Sequence, residues 1–280
     1  MNTGDFKDIL YDREDSGIVT VTLNVPKRKN ALSAYTCLEL WWAADAMEKD
    51  DRAKVMILTG ARDPDKDDPA KEAFCSGGYF NTAAIDALSA EMKGQIDFTD
   101  IAQKKLTLKM WQFDKPVIAA VNGLVVGGGF TLCLACADLI YMSEHAWASL
   151  PFVGLGLVPE LASSYLLPRL LGLQRVKEIC YFSERITARE LLELGLVNRV
   201  LPHDELIPYC RERALKLIAP QGAELAVRAC KRILHKPCTD AVAEALDREN
   251  EALNRALATA DFREALTARI QKRTPVFKGR

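Results

Sequence analysis

A segment in the middle of the chain, residues 115–164, constrains the fold more than any other. Its apolar run Val117–Val121 is followed by Asn122-Gly123, a pattern typical of a buried strand that enters a turn. Three consecutive glycines at 127–129 come next, and then an apolar run able to form a buried helix. Because glycine lets a reacting group approach the backbone, and the first N–H groups of a helix are unpaired, this order favours an oxyanion-binding site.

The glycine triplet has two other interpretations, tight helix packing and a dinucleotide site. Glycines at these positions also permit tight helix packing without any chemistry, and this alternative stays open for the triplet alone. A dinucleotide site is not favoured, because the G-x-G-x-x-G spacing is absent, although Glu144 does follow the next strand.

The composition bounds the class of protein. A chain of 280 residues with 49% hydrophobic residues can bury a substantial core, as one large domain or as a domain with an appendage. The 37 basic and 38 acidic residues give a net charge of −1, which favours neither nucleic acid nor membrane as a partner. The chain shows no signal peptide, membrane span or C-terminal peroxisomal address, so we expect a cytoplasmic protein.

The eight cysteines predict buried thiols in a reducing compartment rather than disulfides. Cys133, Cys136, Cys180 and Cys230 lie in apolar helical patterns. Cys133 and Cys136 form one C-x-x-C, but a zinc site would need a second pair of ligands. We therefore expect no metal.

A second motif lies far upstream, at Phe74-Cys75-Ser76-Gly77-Gly78. Together with N-G-x-x-V-G-G-G at 122–129, it resembles the crotonase (enoyl-CoA hydratase/isomerase) superfamily, and the resemblance extends from Pro26 to Lys278. It implies an α/β fold, a spiral of ββα turns over residues 1–202 that carries an acyl-CoA site. It also implies that residues 203–280 form a C-terminal helical oligomerisation region, giving a homotrimer or a dimer of trimers.

The resemblance also implies the parts of the site. Backbone N–H groups of Ser76 and Gly128 would bind the thioester oxygen of an acyl-CoA, and coenzyme A would enter as part of the substrate, with no separate cofactor. The loop with Arg28 and Lys29 would lie against the phosphates and adenine, and Ala31 would pass the pantetheine. Further substrate contacts fall on Gly77, Gly78, Gly127, Thr131, Pro151 and Phe152. In one departure from the family pattern, Tyr79-Phe80 stands where an Asp is usual.

The carboxylates decide which reaction an oxyanion hole serves. The two glutamates of standard hydratases fall here on Thr131 and Phe152, so both are missing. Val-Pro-Glu-Leu-Ala-Ser-Ser at 158–164 instead resembles the S-P-E-x-x-S-S stretch of Δ3,Δ2-enoyl-CoA isomerases. We expect Glu160 to move a proton from C2 to C4 of a 3-enoyl thioester, although a Glu after Pro159 is also an ordinary helix-start residue.

Three alternatives accompany this expectation: an unusual hydratase, another enolate reaction of the superfamily, and an acyl-CoA-binding protein without catalysis. A hydrolase with a serine triad is not favoured, because His145, His203 and His235 are widely spaced and G-x-S-x-G is absent. We expect Asp138 to cap or to form a salt bridge.

Patterns of apolar and turn residues also predict the secondary structure. They indicate strands at 18–23, 54–59, 117–121 and 196–200, and helices at 34–49, 164–171, 175–182 and 188–194. Residues 61–72 read as a polar surface loop, and residues 81–113 as helical with a break near Gly94. From His203 onward only helices are expected, and Val242, Leu246, Leu253 and Leu257 should share one helix face.

Overall fold

The structure is a computed structural model that describes residues 3–65, 67–79 and 88–280. Its strands are β1 Ile9–Arg13, β2 Ile18–Leu23, β3 Val55–Gly60, β4 Ala73–Cys75, β5 Val117–Val121, β6 Leu124–Val126, β7 Leu139–Ser143, β8 Trp147–Ser149, β9 Ile186–Thr187 and β10 Arg199–Leu201. Its helices are α1 Ala34–Lys49, α2 Ala90–Lys93, α3 Lys104–Gln112, α4 Gly128–Cys136, α5 Ser163–Leu171, α6 Leu173–Phe182, α7 Ala188–Glu193, α8 Leu206–Leu215, α9 Glu224–His235, α10 Thr239–Leu257 and α11 Ala260–Ile270.

The described strands form two sheets. One sheet has the order β1-β2-β3-β5-β7-β10, and the other has the order β4-β6-β8-β9. Pairing is parallel except at β1–β2 and at β8–β9. Successive strands alternate between the sheets, so that β3, β5 and β7 enter the first and β4, β6 and β8 enter the second. This mixed α/β spiral, followed by C-terminal helices, is the predicted fold class.

The six-stranded sheet is covered on both faces. In β3, Met56 and Leu58 face the core between the sheets, whereas Val55 and Ile57 pack on the opposite side against helix α8. A strand buried on both faces needs apolar residues at every position rather than at alternate ones. β3 and β5 are buried along their whole length and are apolar apart from Thr59, whose hydroxyl donates to Ala120 O at 2.9 Å; both strands were correctly predicted.

Helix α4 lies in the interior, and all its residues except Leu134 are buried. A β-carbon on Gly129 would lie 2.7 Å from the carbonyl oxygen of Cys75, so glycine is required for the contact between α4 and β4. Cys133, Cys136 and Cys180 are buried as predicted. Cys230 is exposed, so its prediction as a buried thiol was wrong: the apolar face of α9, which also carries Leu225, Ile233 and Leu234, is exposed, and the buried residue of this helix is Lys231. All eight cysteines belong to the described residues and are free thiols.

Some predicted elements differ from the structure. The last strand is Arg199–Leu201 rather than 196–200, because Leu196 and Val197 pack into the core as loop residues after Gly195. Of the region 81–113, residues 81–87 lie outside the described residues. The remainder contains α2 and α3 with turns between them, so the break at Gly94 was predicted correctly but the helical content was overestimated.

After His203 the chain is helical, as predicted. Val242, Leu246 and Leu253 form the buried face of α10, which packs against α3 and α5 of the same chain. Helix α11 contacts the turn Val153–Leu155. Nowhere in the described ranges is a helix both long and apolar enough to cross a bilayer. The division at residue 202 and the trimerisation role of the tail stay predictions.

Candidate active site

The motif after β4 is hydrogen-bonded to the basic loop near the N-terminus. Ser76 N donates to Lys29 O at 3.0 Å, and the Ser76 hydroxyl donates to Arg28 O at 3.2 Å. Leu32 N donates to Gly77 O at 2.8 Å. These bonds hold the loop 26–32 beside the glycines of the motif, although the two segments are far apart in sequence.

The same bonds correct one predicted site residue. The Ser76 N–H already donates to Lys29 O and is therefore not available to bind a thioester oxygen. Gly77 has φ of 89° and turns the chain, so that the next N–H, that of Gly78, has no acceptor among the described residues. A β-carbon on Gly128 would lie 3.9 Å from Gly78 N, which places this N–H beside the start of α4. Gly78 replaces Ser76 as the candidate donor.

Gly128 supplies the second N–H. The preceding residue, Gly127, has φ of 53°, and its N–H is anchored to Ser149 O of β8 at 2.8 Å. Gly128 is the first residue of α4, where an N–H has no intrahelical partner, and no described residue accepts from it. Two neighbouring N–H donors, one of them at a helix N-terminus, are an arrangement that stabilises a developing oxyanion.

Glu160 lies against Gly128. A β-carbon on Gly128 would collide with Glu160 Oε1, so the glycine leaves the room that the carboxyl group occupies. Glu160 is partly buried, and no described residue donates a hydrogen bond to its carboxyl group. Burial raises the pKa of Glu160 to about 8, and the negative charge of Glu249 adds to the shift. A carboxyl group with such a pKa can both accept and donate a proton near neutral pH.

One cavity brings most of the predicted site residues together. Of the predicted set, it is lined by Ser76, Gly77, Gly78, Gly127, Gly128, Pro151, Phe152 and Glu160. The rest of its wall is largely apolar and includes Leu253 and Leu257 of α10.

Four predicted contacts lie outside this cavity. Thr131 is fully buried, and its hydroxyl donates to Gly127 O at 3.3 Å, so its predicted contact with substrate was wrong. Arg28 lies 4.5 Å over the ring of Tyr79, Lys29 is exposed and Ala31 is buried. The roles of these three in binding coenzyme A stay predictions.

A second cavity adjoins the first, and Glu160 lines both. Its wall combines apolar side chains such as Phe98 and Ile101 with Asp97 and Asp100. Asp100 accepts hydrogen bonds from Lys104 N, Lys105 N and the Asn250 side chain, and Asp97 accepts from Thr99. Both aspartates are thus engaged in hydrogen bonds that stabilise the fold. Glu160 is the carboxyl group that lies beside the two candidate N–H donors.

Sequence reasoning missed two charged residues here. Glu249 of α10 accepts hydrogen bonds from Ala162 N and Ser164 N, directly after Glu160. The sequence signal that could have revealed Glu249 is its position on the apolar face of a helix, between Leu246 and Leu253. Arg269 of α11 lines the main cavity, and nothing in the local sequence marks it.

A second polar cluster does not form a reactive site. Ser143 Oγ lies 3.1 Å from His203 Nδ1, and His203 Nε2 lies 3.5 Å from Glu72. Ser143 is 0% exposed, so no substrate reaches its hydroxyl. Within the described ranges, no group of three or more His, Cys, Asp and Glu is placed to hold a metal ion.

Comparison with known proteins shows similarity over nearly the whole chain. A family model described as enoyl-CoA hydratase/isomerase matches residues 13–280. A crotonyl-CoA hydratase of Syntrophomonas wolfei is 32% identical over 97% of this chain and 98% of its own length. A carnitinyl-CoA dehydratase of Escherichia coli K12 is 34% identical over 97% of this chain and 98% of its own. The crystal structure of an enoyl-CoA hydratase/isomerase from Pseudoalteromonas atlantica, 27% identical, superposes with a TM-score of 0.82 and covers 97% of this chain and all of the other.

Proposed function

Because the chain belongs to the enoyl-CoA hydratase/isomerase family, we propose that it moves the double bond of a 3-enoyl-CoA to the 2-enoyl position. One observation carries this proposal: the carboxyl group of Glu160 lies against Gly128, beside the N–H groups of Gly78 and Gly128. This arrangement has the two components that the reaction needs, an oxyanion hole and one group that takes and returns a proton.

The proposed reaction uses Glu160 twice. The thioester oxygen accepts hydrogen bonds from Gly78 N and Gly128 N, which makes the protons on C2 more acidic. The Glu160 carboxylate takes one of these protons, and the electron pair of the C–H bond spreads over C2, C4 and the thioester oxygen. The carboxylic acid then gives the proton to C4, and the 2-enoyl thioester is formed with Glu160 ionised again.

The second candidate is hydration, which the hydratase names of several relatives favour. Hydration needs groups that position and deprotonate water and a group that protonates C2. The positions of the two hydratase glutamates are occupied by Thr131, which is fully buried, and by Phe152, which cannot transfer a proton. Hydration would therefore have to proceed with Glu160 alone, and this favours isomerisation.

Product analysis separates these candidates. The wild-type protein is incubated in one reaction with a 3-enoyl-CoA and in another with a 2-enoyl-CoA, and the products are examined by chromatography and mass spectrometry. We expect the 3-enoyl-CoA to become the 2-enoyl isomer with no change in mass. A product heavier by one water from the 2-enoyl-CoA, without isomerisation, would replace the proposal by hydration. Binding of both thioesters without reaction would indicate an acyl-CoA-binding protein.

A further inference from the structure

Helix α10 places a second carboxylate next to the segment that carries Glu160. Glu249 is only 4% exposed and lies on the buried face of the helix. Its Oε2 accepts a hydrogen bond from Ala162 N at 2.8 Å, and its Oε1 accepts one from Ser164 N at 2.9 Å. Both oxygens are thus engaged, so Glu249 cannot reach a substrate but does hold the backbone two and four residues after Glu160.

The backbone that Glu249 holds is in an unfavourable conformation. Leu161 and Ala162 have φ of 53° and 58°, in the left-handed region that residues with a β-carbon rarely adopt. Such residues persist only where their surroundings fix them. Here Leu161 N donates to Ala102 O at 3.3 Å, and Glu249 binds the next N–H. Loss of Glu249 would leave two N–H groups without their acceptor and would allow the turn to relax.

The neighbouring residue of α10 supports the segment 100–102, which also lines the adjoining cavity. Asn250 Oδ1 accepts from Ala102 N at 2.6 Å, and its side-chain amide donates to Asp100 Oδ1 at 2.9 Å. Two consecutive residues of one helix therefore fix the segments 100–102 and 162–164, which flank Glu160. The C-terminal helices are thus coupled to the geometry of the site.

Glu249 also acts on Glu160 through its charge. Its negative charge raises the pKa of Glu160, in addition to the larger effect of burial. The other titratable groups near Glu160 are the thiols of Cys37 and Cys75, whose pKa values are raised by burial, and Arg269 lines the same cavity. Arg248 lies near Glu249, and the two N–H donors favour the ionised form of Glu249 although burial raises its pKa.

We propose that Glu249 is the positioning residue for Glu160: it fixes the left-handed turn at Leu161-Ala162 and thereby directs the Glu160 carboxyl group toward Gly128. This inference rests on the proposed role of Glu160 in proton transfer. Its consequence is that the reaction depends on a buried side chain of the C-terminal helices that never touches the substrate.

The test compares Glu249→Gln with Glu39→Gln. Glu39 is a matched control, because it is also a buried carboxylate that accepts backbone hydrogen bonds, from Lys7 N, Asp8 N and Ile9 N, but it does not line the cavity. The titration of Glu160 is followed by ¹³C NMR of protein labelled at glutamate carboxyl groups, and its resonance is identified by its loss in Glu160→Gln. The rate of 3-enoyl-CoA isomerisation is measured on the same samples.

We expect Glu249→Gln to move the Glu160 titration to lower pH, because a like charge is removed. The acid limb of kcat/KM should move with it, and kcat should fall about tenfold, since displacement of a catalytic group is costly. Glu39→Gln should change neither the Glu160 titration nor the kinetic constants. An unchanged Glu160 titration and unchanged kcat in Glu249→Gln, with a loss of stability like that of Glu39→Gln, would overturn the proposal.

Two further outcomes are distinguishable. If the wild-type protein does not isomerise 3-enoyl-CoA, the proposed function fails, and the positioning role is then judged from the Glu160 resonance in Glu249→Asp, which keeps the charge: a changed chemical shift supports the role, and a wild-type shift overturns it. If Glu249→Gln does not fold, Glu249→Asp replaces it. This variant keeps the charge and shortens the side chain, so we expect reduced kcat with a Glu160 titration near that of the wild type. Wild-type kcat in Glu249→Asp would then overturn the proposal.

Discussion

Because Gly128 has no side chain, the Glu160 carboxyl group can lie against its backbone. A β-carbon there would collide with Glu160 Oε1, which is the end of a flexible side chain, so we expect Gly128→Ala to fold but to displace the carboxyl group. Its kcat/KM for isomerisation should fall by about 100-fold or more, as expected when a catalytic group is misplaced. Steady-state kinetics and thermal unfolding measure the two effects separately.

Two other glycines serve as controls for this substitution. At Gly154 the nearest atom to a β-carbon is Ser183 Oγ at 3.6 Å, so Gly154→Ala should keep both activity and stability. At Gly129 a β-carbon would meet the Cys75 carbonyl, so Gly129→Ala should lose stability by about 2 kcal/mol or more. Wild-type kcat/KM in Gly128→Ala would contradict the placement of Glu160.

The raised pKa of Glu160 predicts how stability depends on pH. The folded protein holds this proton up to about pH 8, whereas the unfolded chain releases it near the ordinary value for Glu. The contribution of Glu160 to stability is therefore full at acid pH and is lost as the pH rises to about 8. Glu160→Gln resembles the protonated form, so it should become more stable than the wild type by about 2 kcal/mol as the pH rises from 5 to 9.

Urea unfolding of both proteins across this pH range measures the difference. The partial exposure of Glu160 reduces the expected size of the effect but not its sign. A stability difference between the two proteins that does not change with pH would show that Glu160 titrates at its ordinary value.

Local motifs could identify some residues of the candidate site but not others. The glycine triplet and the Pro-Glu pair at 159–160 pointed to Gly128 and Glu160, because each lies within a short recognisable stretch. The choice between Ser76 and Gly78 depends on a hydrogen bond to Lys29, which lies far upstream. Glu249 lies on another helix, so its contact with Ala162 could not be seen from either segment alone.

At the scale of elements, one buried ion pair attaches helix α9 to the segments that precede strands β5 and β7 of the six-stranded sheet. Lys231 is buried and donates to Asp138 Oδ2 at 2.8 Å and to Lys115 O at 3.1 Å. Asp138 also accepts from Val117 N at 2.7 Å, so it pairs as the sequence predicted. Removing Lys231 would leave Asp138 without its main cationic partner.

We expect Lys231→Met to lower the free energy of unfolding by about 2–3 kcal/mol, since half of a buried ion pair is lost. Lys236 is exposed just beyond the same helix, and Lys236→Met should change stability by no more than about 0.5 kcal/mol. Urea unfolding at constant pH measures both variants. Equal stability of Lys231→Met and the wild type would mean that the pair does not hold α9.

Elements were predictable where one simple pattern controls the structure. Strands β3 and β5 are buried throughout and mostly apolar, and α1 begins directly after Ser33, whose side chain caps the helix in a capping box with Thr36. The region 95–103 was wrongly predicted as helical, because Asp97 and Asp100 bind backbone N–H groups there and stabilise turns. Such competition depends on the side-chain geometry and is not visible in apolar periodicity.

At the scale of the whole molecule, the homotrimer or dimer of trimers stays a prediction, and we propose exposed apolar side chains on α5 and α6 as its interface. Leu170, Leu173, Tyr181 and Phe182 are all exposed in the single chain. Light scattering coupled to size exclusion should give three or six times the chain mass of 31.1 kDa. We expect Phe182→Asp to lower this mass, because a charge would be buried in the interface.

Leu10 is the control position, since it is 51% exposed but lies on strand β1. Leu10→Asp should keep the wild-type mass. A monomeric wild-type protein at micromolar concentration would contradict the predicted assembly, and an unchanged mass in Phe182→Asp would move the interface to another face.

The central claim is that Glu160 transfers the proton in double-bond isomerisation. The most direct measurement follows a 3-enoyl-CoA by NMR in deuterated water with the wild type, Glu160→Gln and the control Glu39→Gln. We predict conversion to the 2-enoyl-CoA by the wild type and by Glu39→Gln, and a rate about 1,000-fold lower for Glu160→Gln, the range expected for loss of a general base. Conversion by Glu160→Gln at the wild-type rate would show that another group moves the proton.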